Sequence, residues 1–388
     1  MKDSFIRKSC LFIVLGCALF SIVVPLGISV FYKNFNYWGS AAVPSHTVSH
    51  ARSAPTAPVP FPSTTGRSLS RPGFQAGVAF PQWGPTGYGA GDAQWSQGLQ
   101  QISAQTSARW IEIPLLFFQS SLSSTDVIVG PSTPTLAAFA DGLHVAHARG
   151  YRIFVTPIIS VGGTQSWAGA ISFTTYEQEQ AWFESYWQAI RPYVLVAAQN
   201  GVDQMAIGTE FEWLQRFAPI SLWNNLIAQI RSIFPGTLVY DMNWTSMNKP
   251  IPTWMHNADL ETIGISTYIP LADTPDRVDP QALSEMWRVT VKSALDAFAA
   301  QFGKPILLSE IGYRNSSNAL YHPWESKRSA AADPEEQAAA CNAALVNVMN
   351  DPNIVGVFFW GWDNVGAFGL SGLPAVTVIH SWFSSLQA

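Results

Sequence analysis

Of 388 residues, 48% are hydrophobic, 13% are aromatic with 16 Trp among them, and only 12% are charged, against about a quarter in an ordinary soluble domain. That composition excludes a disordered or low-complexity chain. Lys and Arg number 21 against 26 Asp and Glu, for a net charge of −5, and no basic run exceeds a residue pair, so no nucleic-acid partner is expected. The three cysteines, Cys10, Cys17 and Cys341, make neither a disulfide framework nor a four-ligand zinc site.

Arg7 and Lys8 precede a stretch from Ser9 to Tyr32 without a charged residue, closed by Lys33. A helix that crosses a bilayer needs about 20 residues, and the positive flank predicts a cytoplasmic N-terminus with the remainder exported. The competing reading is a cleaved signal peptide, with small residues Ser40, Ala41 and Ala42 at its end. The apolar core is longer than the roughly 7–15 residues of a signal peptide, so residues 1–38 read as an uncleaved signal-anchor and the protein as single-pass; cleavage would make it secreted. Val14-Leu15-Gly16-Cys17 resembles a lipoprotein box but lies inside the apolar run. Residues 39–72 are rich in Pro, Ser, Ala and Thr, with prolines at 44, 55, 58, 60, 62 and 72 and no acidic residue. Such a segment cannot bury enough apolar surface to offset its ordering entropy and reads as an extended linker.

The folded domain is expected over residues 73–388. Strand-like runs fall at Phe74–Phe80, Arg109–Phe118, Tyr151–Ile158, Val202–Gly208, Thr237–Asn243, Leu260–Thr267, Pro305–Glu310 and Ile354–Trp360. Amphipathic stretches fill the gaps at Asp92–Gln105, Thr133–Arg149, Thr175–Gln199, Ser221–Phe234, Pro280–Phe302, Pro334–Asn350 and Val376–Leu386. Thr133 before Pro134 and Asp333 before Pro334 read as helix starts, and Gly150 and Gly303 as left-handed caps. Only Trp244 to Asp259 lacks a long helix. Eight alternations predict a single (β/α)8 barrel. An open doubly wound sheet would carry a Gly-rich phosphate turn after its first strand, whereas Pro81 to Gly91 has no G-x-G-x-x-G and holds Trp83 and Tyr88.

Chemistry in such a barrel sits at the C-terminal strand ends. The fourth strand ends in Gly208-Thr209-Glu210 and the seventh in Ser309-Glu310-Ile311-Gly312. A lone carboxylate there reads equally well as a structural ion pair, but two at matched ends converge on one pocket. Carboxyls about 5 Å apart suit retaining glycoside hydrolysis, in which one attacks the anomeric carbon and the other protonates the leaving oxygen. Trp83, Trp167, Trp244, Trp360 and Trp362 fall at strand ends or in the loops beyond, where aromatic faces stack on sugar rings. Trp110, Trp182 and Trp187 read as core. Asn243 ends strand five and has the groups to bind a hydroxyl or make a turn. His144 and His147 are spaced i, i+3 without a third ligand and read as a solvated helix face. Gly264-Ile265-Ser266-Thr267-Tyr268 lacks the second Gly of a serine-esterase elbow. Arg109 opens its strand at the end away from the expected site.

Glu at the ends of strands four and seven resembles the signature of glycoside hydrolase clan A. Ile207-Gly208-Thr209-Glu210, Ser309-Glu310-Ile311-Gly312-Tyr313-Arg314, Pro323-Trp324 and Asp333-Pro334-Glu335-Glu336-Gln337-Ala338 are most similar to glycoside hydrolase family 113, known for β-mannanases. The resemblance implies Glu210 as acid/base and Glu310 as nucleophile, Tyr268 as the side chain that orients the nucleophile, and Trp360 as a sugar platform. Thr209 stands where most clan members have an Asn that holds the sugar 2-hydroxyl. Ala168 replaces an Arg in the segment Ser160 to Ile171. The expected protein is thus a membrane-tethered, monomeric, cofactor-independent glycosidase acting on a β-linked glycan, its barrel outside the cytoplasm. The alternative is a silent barrel that binds cell-surface polysaccharide.

Overall fold

The computed structural model describes residues 69–162, 167–326, 330–362 and 367–386; the proposed anchor and most of the linker lie outside these residues. Strands β1 (Gln75–Ala79) and β2 (Trp110–Gln119) come first, followed by a short β3 (Val127–Val129). Then come β4 (Arg152–Val161), β5 (Gln204–Thr209), β6 (Thr237–Asn243), β7 (Thr262–Ser266), β8 (Ile306–Ile311) and β9 (Ile354–Trp360). All but β3 are parallel, paired in chain order, and β1 pairs with both β9 and β2 to close the barrel. Strand β3 lies antiparallel to the end of β2 and is too short to announce itself by alternation.

The eight barrel strands are those expected, β6 and β9 at the same bounds and the others shifted slightly at their ends. The helices differ in instructive ways. Helix Leu136–Ala148 is capped by Thr135, whose hydroxyl accepts from Ala138 N. Thr133 instead donates to Leu116 O and accepts from Gly130 N, tying the β3 hairpin to β2, so it is not the cap its position before Pro134 suggested. Pro280–Trp287 runs through a π turn, Arg288–Lys292, into Ser293–Phe302. The last helix starts at Pro374, earlier than expected, because a Pro fits the first turn. Glu212–Phe217 forms a helix too short for a periodic signal, cut from Ile220–Arg231 by Pro219. Between β6 and β7 there are only two 3-10 turns, Trp244–Ser246 and Thr253–His256. Asp333, Gly150 and Gly303 act as expected at helix ends. Among the described residues no helix is long and apolar enough to cross a membrane.

Side chains alternate across a strand, so every second residue faces the barrel axis. Trp110, Phe154, Ala206, Val239, Leu307 and Phe358 pack together as an apolar floor. Two residues further along their strands come Glu112, Thr156, Asp241 and Ser309, all completely buried. Above these come the strand ends. Contacts to the barrel start before Gly73: Leu69 bridges to Leu386, and the Arg71 guanidinium donates to the carbonyls of Val348, Met349 and Ile354. These carbonyls end a helix and open β9, so the chain enters at the pole opposite the C-terminal strand ends.

Candidate active site

Two irregularities in the strands build the site. Along β8, Leu307 pairs with Gly264 and Glu310 with Ser266, so β8 carries one extra residue against β7. Such a bulge breaks strict alternation, and it brings the consecutive Ser309 and Glu310 both to the interior. Gly264 makes room, since a Cβ there would lie 2.6 Å from Ser309 Oγ. Strand β5 likewise has an extra residue between Ala206 and Thr209 relative to β6. Glu210 then adopts a left-handed backbone, φ 57°, with its N–H bonded to Asp241 O at 2.7 Å. A non-glycine residue in that region is strained and is held there by its surroundings.

The two glutamates are 1% and 3% exposed. Trp167 Nε1 donates to Glu210 Oε2 at 2.8 Å, and Asn243 Nδ2 donates to Glu210 Oε1 at 2.9 Å. Asn243 Oδ1 accepts from Thr245 N, so its polar atoms are engaged within the protein and it orients Glu210. The Tyr268 phenol, itself buried, donates to Glu310 Oε2 at 3.0 Å. Burial foremost, then the Asp241 charge, pushes Glu210 up to about 8, against the bonds from Trp167, Asn243 and Ser266 that favour its anion. A carboxyl that must give and later take a proton works best near the working pH. Glu310 is also held well above the usual carboxylate range, by burial and then by Asp241, Glu112 and Glu210, while Tyr268 opposes the rise. Burial keeps the Tyr268 phenol protonated and therefore a donor.

Tyr268, Trp324 and Phe368 form one aromatic cluster with the half-buried Trp244 and Trp360 packed on it. Trp244 and Trp324 rings lie 5.9 Å apart, and His322 stacks on Trp324 at 4.8 Å. The buried Arg314 guanidinium shapes this loop by donating to the carbonyls of Asn318, Tyr321, His322 and Glu325. Trp83 is half-buried in the first loop, where Tyr88 fills the core. Trp362 is buried at 2% exposure and belongs to the core instead of a sugar-facing surface, as do Trp110, Trp182 and Trp187. Thr209 is buried with no partner for its hydroxyl. Arg109 and His144 are exposed. Residues 163–166 and 363–366, parts of the two loop motifs, lie outside the described residues. Among the described residues no group of three or more ligating side chains is placed to hold a metal.

Sequence reasoning missed Asp241, Glu112 and Trp324 as parts of the site. Asp241 and Glu112 sit inside otherwise apolar strands, and in a chain with 12% charge that interruption was the available signal.

A closed (β/α)8 barrel with two buried glutamates at the ends of its fourth and seventh strands, beside a cluster of tryptophans, defines a clan A glycoside hydrolase. The profile of Glycoside Hydrolase Family 113 matches residues 82–367, and the chain belongs to that family, a glycosidase of O-glycosyl bonds. No curated protein matches it. A GH113 β-1,4-mannanase structure is similar at TM-score 0.68 and 19% identity, over 80% of this chain and 99% of that one. The GH113 β-mannanase AaManA from Alicyclobacillus acidocaldarius, in complex with ManMIm, is similar at TM-score 0.68 and 22% identity, over 80% and 97% of the two chains. A family 5 mannosidase from Rhizomucor miehei is similar at TM-score 0.53 and 12% identity, over 80% and 92%. At these identities the likeness is one of fold.

Proposed function

We propose that this protein is a retaining endo-acting β-glycosidase of the mannanase kind, with Glu310 as nucleophile and Glu210 as acid/base. The observation that carries the reading is the pair itself: two buried glutamates, one directly after β5 and one on β8, each oriented by its own donors, within one barrel mouth. In the first step a Glu310 oxygen bonds to the anomeric carbon. The bond from that carbon to the bridging oxygen breaks, and Glu210 gives its proton to that oxygen. In the second step Glu210 takes a proton from water, whose oxygen bonds to the anomeric carbon and releases Glu310 as carboxylate. Inversion twice gives net retention. No metal or organic cofactor enters either step.

Mannan is the proposed substrate because two structural relatives are described as β-mannanases. Trp360, Trp244 and Trp167 are proposed to stack on or bind the sugars with Trp83 at the rim, and Trp324 joins them through its contact with Trp244. Asn243 serves through Glu210, and Thr209, with its hydroxyl unpartnered, is proposed to reach the 2-hydroxyl when substrate is present. Assaying the 69–388 segment and the full chain on β-1,4-mannan, β-glucan, xylan and galactan tests the reading. Faster release from mannan is expected; binding to a glycan without any hydrolysis would favour a silent carbohydrate-binding barrel.

The anchoring is proposed from the sequence of residues 1–38, and support comes from Leu69 and Arg71 joining the barrel at the pole opposite the site. A tether there leaves the mouth open to an extracytoplasmic polymer. A monomer is proposed with it.

Tyr268→Phe removes a hydrogen bond to a charged group, a contact worth about 1.5–3 kcal/mol, or roughly 10- to 150-fold in kcat/KM. Without that donor Glu310 ionises only at higher pH, so the acid limb of the kcat/KM profile moves up. An acid limb that stays in place would remove Tyr268 from this role.

A further inference from the structure

Beneath the catalytic glutamates lies a second pair of acids that double displacement does not use. Asp241 on β6 and Glu112 on β2 face the barrel axis just above the apolar floor and have no exposed surface. Each has one oxygen held by hydroxyls and one without a partner. Asp241 Oδ1 accepts from Ser309 and Ser266, and Glu112 Oε1 accepts from Thr156 at 2.7 Å. Asp241 Oδ2 and Glu112 Oε2 are buried with no hydrogen bond, an arrangement that is costly for an anion.

Asp241 is tied to both catalytic strands. Ser309 directly precedes Glu310, Ser266 pairs with Glu310 in register, and Asp241 O receives the Glu210 N–H. The ionisable groups that face Asp241 are Glu112 from β2, Glu210 from the end of β5 and Glu310 from β8, while the adjoining Tyr240 packs on Trp223 and Trp254 on the other face of β6 and feels Asp241 only through its charge. Among the described residues no Lys, Arg or His pairs with any of these acids.

We propose that Asp241, with Glu112, is a positioning residue for charge: the two join Glu210 and Glu310 in a network of carboxyls without a cation, which releases its protons one at a time, so that Glu210 keeps its proton once Glu310 is ionised. The inference rests on the assignment of Glu210 as acid/base. Its physical basis is repulsion in a dry interior, where each charge present makes the next one harder to form. The directions agree, since burial raises all of these groups and the neighbouring acids raise Glu310 further.

The test is Asp241→Asn in the full chain, whose amide oxygen still accepts from Ser266 and Ser309 but bears no charge. The alkaline limb of kcat/KM moves to lower pH by about one to two pH units, the acid limb moves the same way, and kcat at the new optimum falls less than about tenfold. Glu112→Gln moves both limbs in the same direction. Limbs that stay in place in both variants overturn the proposal even if activity drops, because a merely structural loss lowers the amount of active enzyme without moving its profile.

Thermal melting reads the same network without substrate. These carboxyls are raised by folding, so their contribution to stability is complete below the unfolded carboxylate range. It is lost as pH rises through about 7 for Asp241 and about 8 for Glu210. Wild-type Tm therefore falls between about pH 5 and about pH 8, and Asp241→Asn falls less over that interval. An equal fall in the two proteins overturns the network. If no glycan is cleaved, the proposed activity fails while the melting comparison still decides this inference.

Discussion

Glu310→Ala is expected to lower kcat by about 10⁴-fold or more, equivalent to about 5 kcal/mol of transition-state stabilisation, because it removes the proposed nucleophile itself. The side chain is 3% exposed and bonded to Tyr268, so its removal leaves a small polar void beneath the substrate. Azide or formate fills that void and restores part of the turnover on a substrate with an activated leaving group. From a β-glycoside, azide attacking in place of the carboxylate gives the α-glycosyl azide. A variant that retains a tenth of wild-type turnover, or that azide leaves inactive while it still binds substrate, argues against Glu310 as nucleophile.

Glu210→Ala has a different signature. General acid help is worth about 10²–10⁴-fold, and it matters in proportion to how poor the leaving group is. Natural glycan cleavage is therefore lost, whereas aryl glycosides with acidic phenols still form the glycosyl-enzyme. The second step then lacks its base, so these substrates show a burst followed by slow turnover. Azide accelerates that step without needing deprotonation and gives the β-glycosyl azide, opposite in configuration to the product from Glu310→Ala. Equal losses on natural and activated substrates would contradict the acid/base role. Trp167 and Asn243 hold the two Glu210 oxygens, so variants at either position share part of this signature.

The barrel was legible because its signals are local. Eight apolar runs, punctuated by helix starts such as Asp333 before Pro334 and by Gly150 and Gly303 at helix ends, carry the alternation without any tertiary information. Glu210 and Glu310 were legible because a carboxylate directly after a buried strand is anomalous in a chain with so little charge. The bulges were not. Nothing in Leu307-Leu308-Ser309-Glu310 reveals that Ser309 and Glu310 both reach the interior; that depends on the register against β7 and on the space that Gly264 leaves. Likewise the sequence left Asn243 between a sugar ligand and a turn residue, while in the fold it holds Glu210. Trp362 looked equivalent to Trp360 by position, yet one is core and the other joins the aromatic cluster beside Glu310.

Arg314 shows the limit from the other side. The sequence displays it as the end of the Ser309 to Arg314 motif, but its work is to gather the carbonyls of the loop that presents Trp324. Backbone carbonyls that gather on a buried guanidinium leave no signature in the sequence, because any residue can supply them.

Double displacement by the two glutamates leaves its mark in the configuration of the first product. Proton NMR of a β-mannan oligosaccharide during the first minutes of hydrolysis resolves the anomeric signals before mutarotation. With Glu310 as nucleophile, the β-anomer of the new reducing end appears first and the α-anomer only as it equilibrates. An α-anomer released first would mean a single inverting displacement by water and would contradict the assignment of Glu310 as nucleophile.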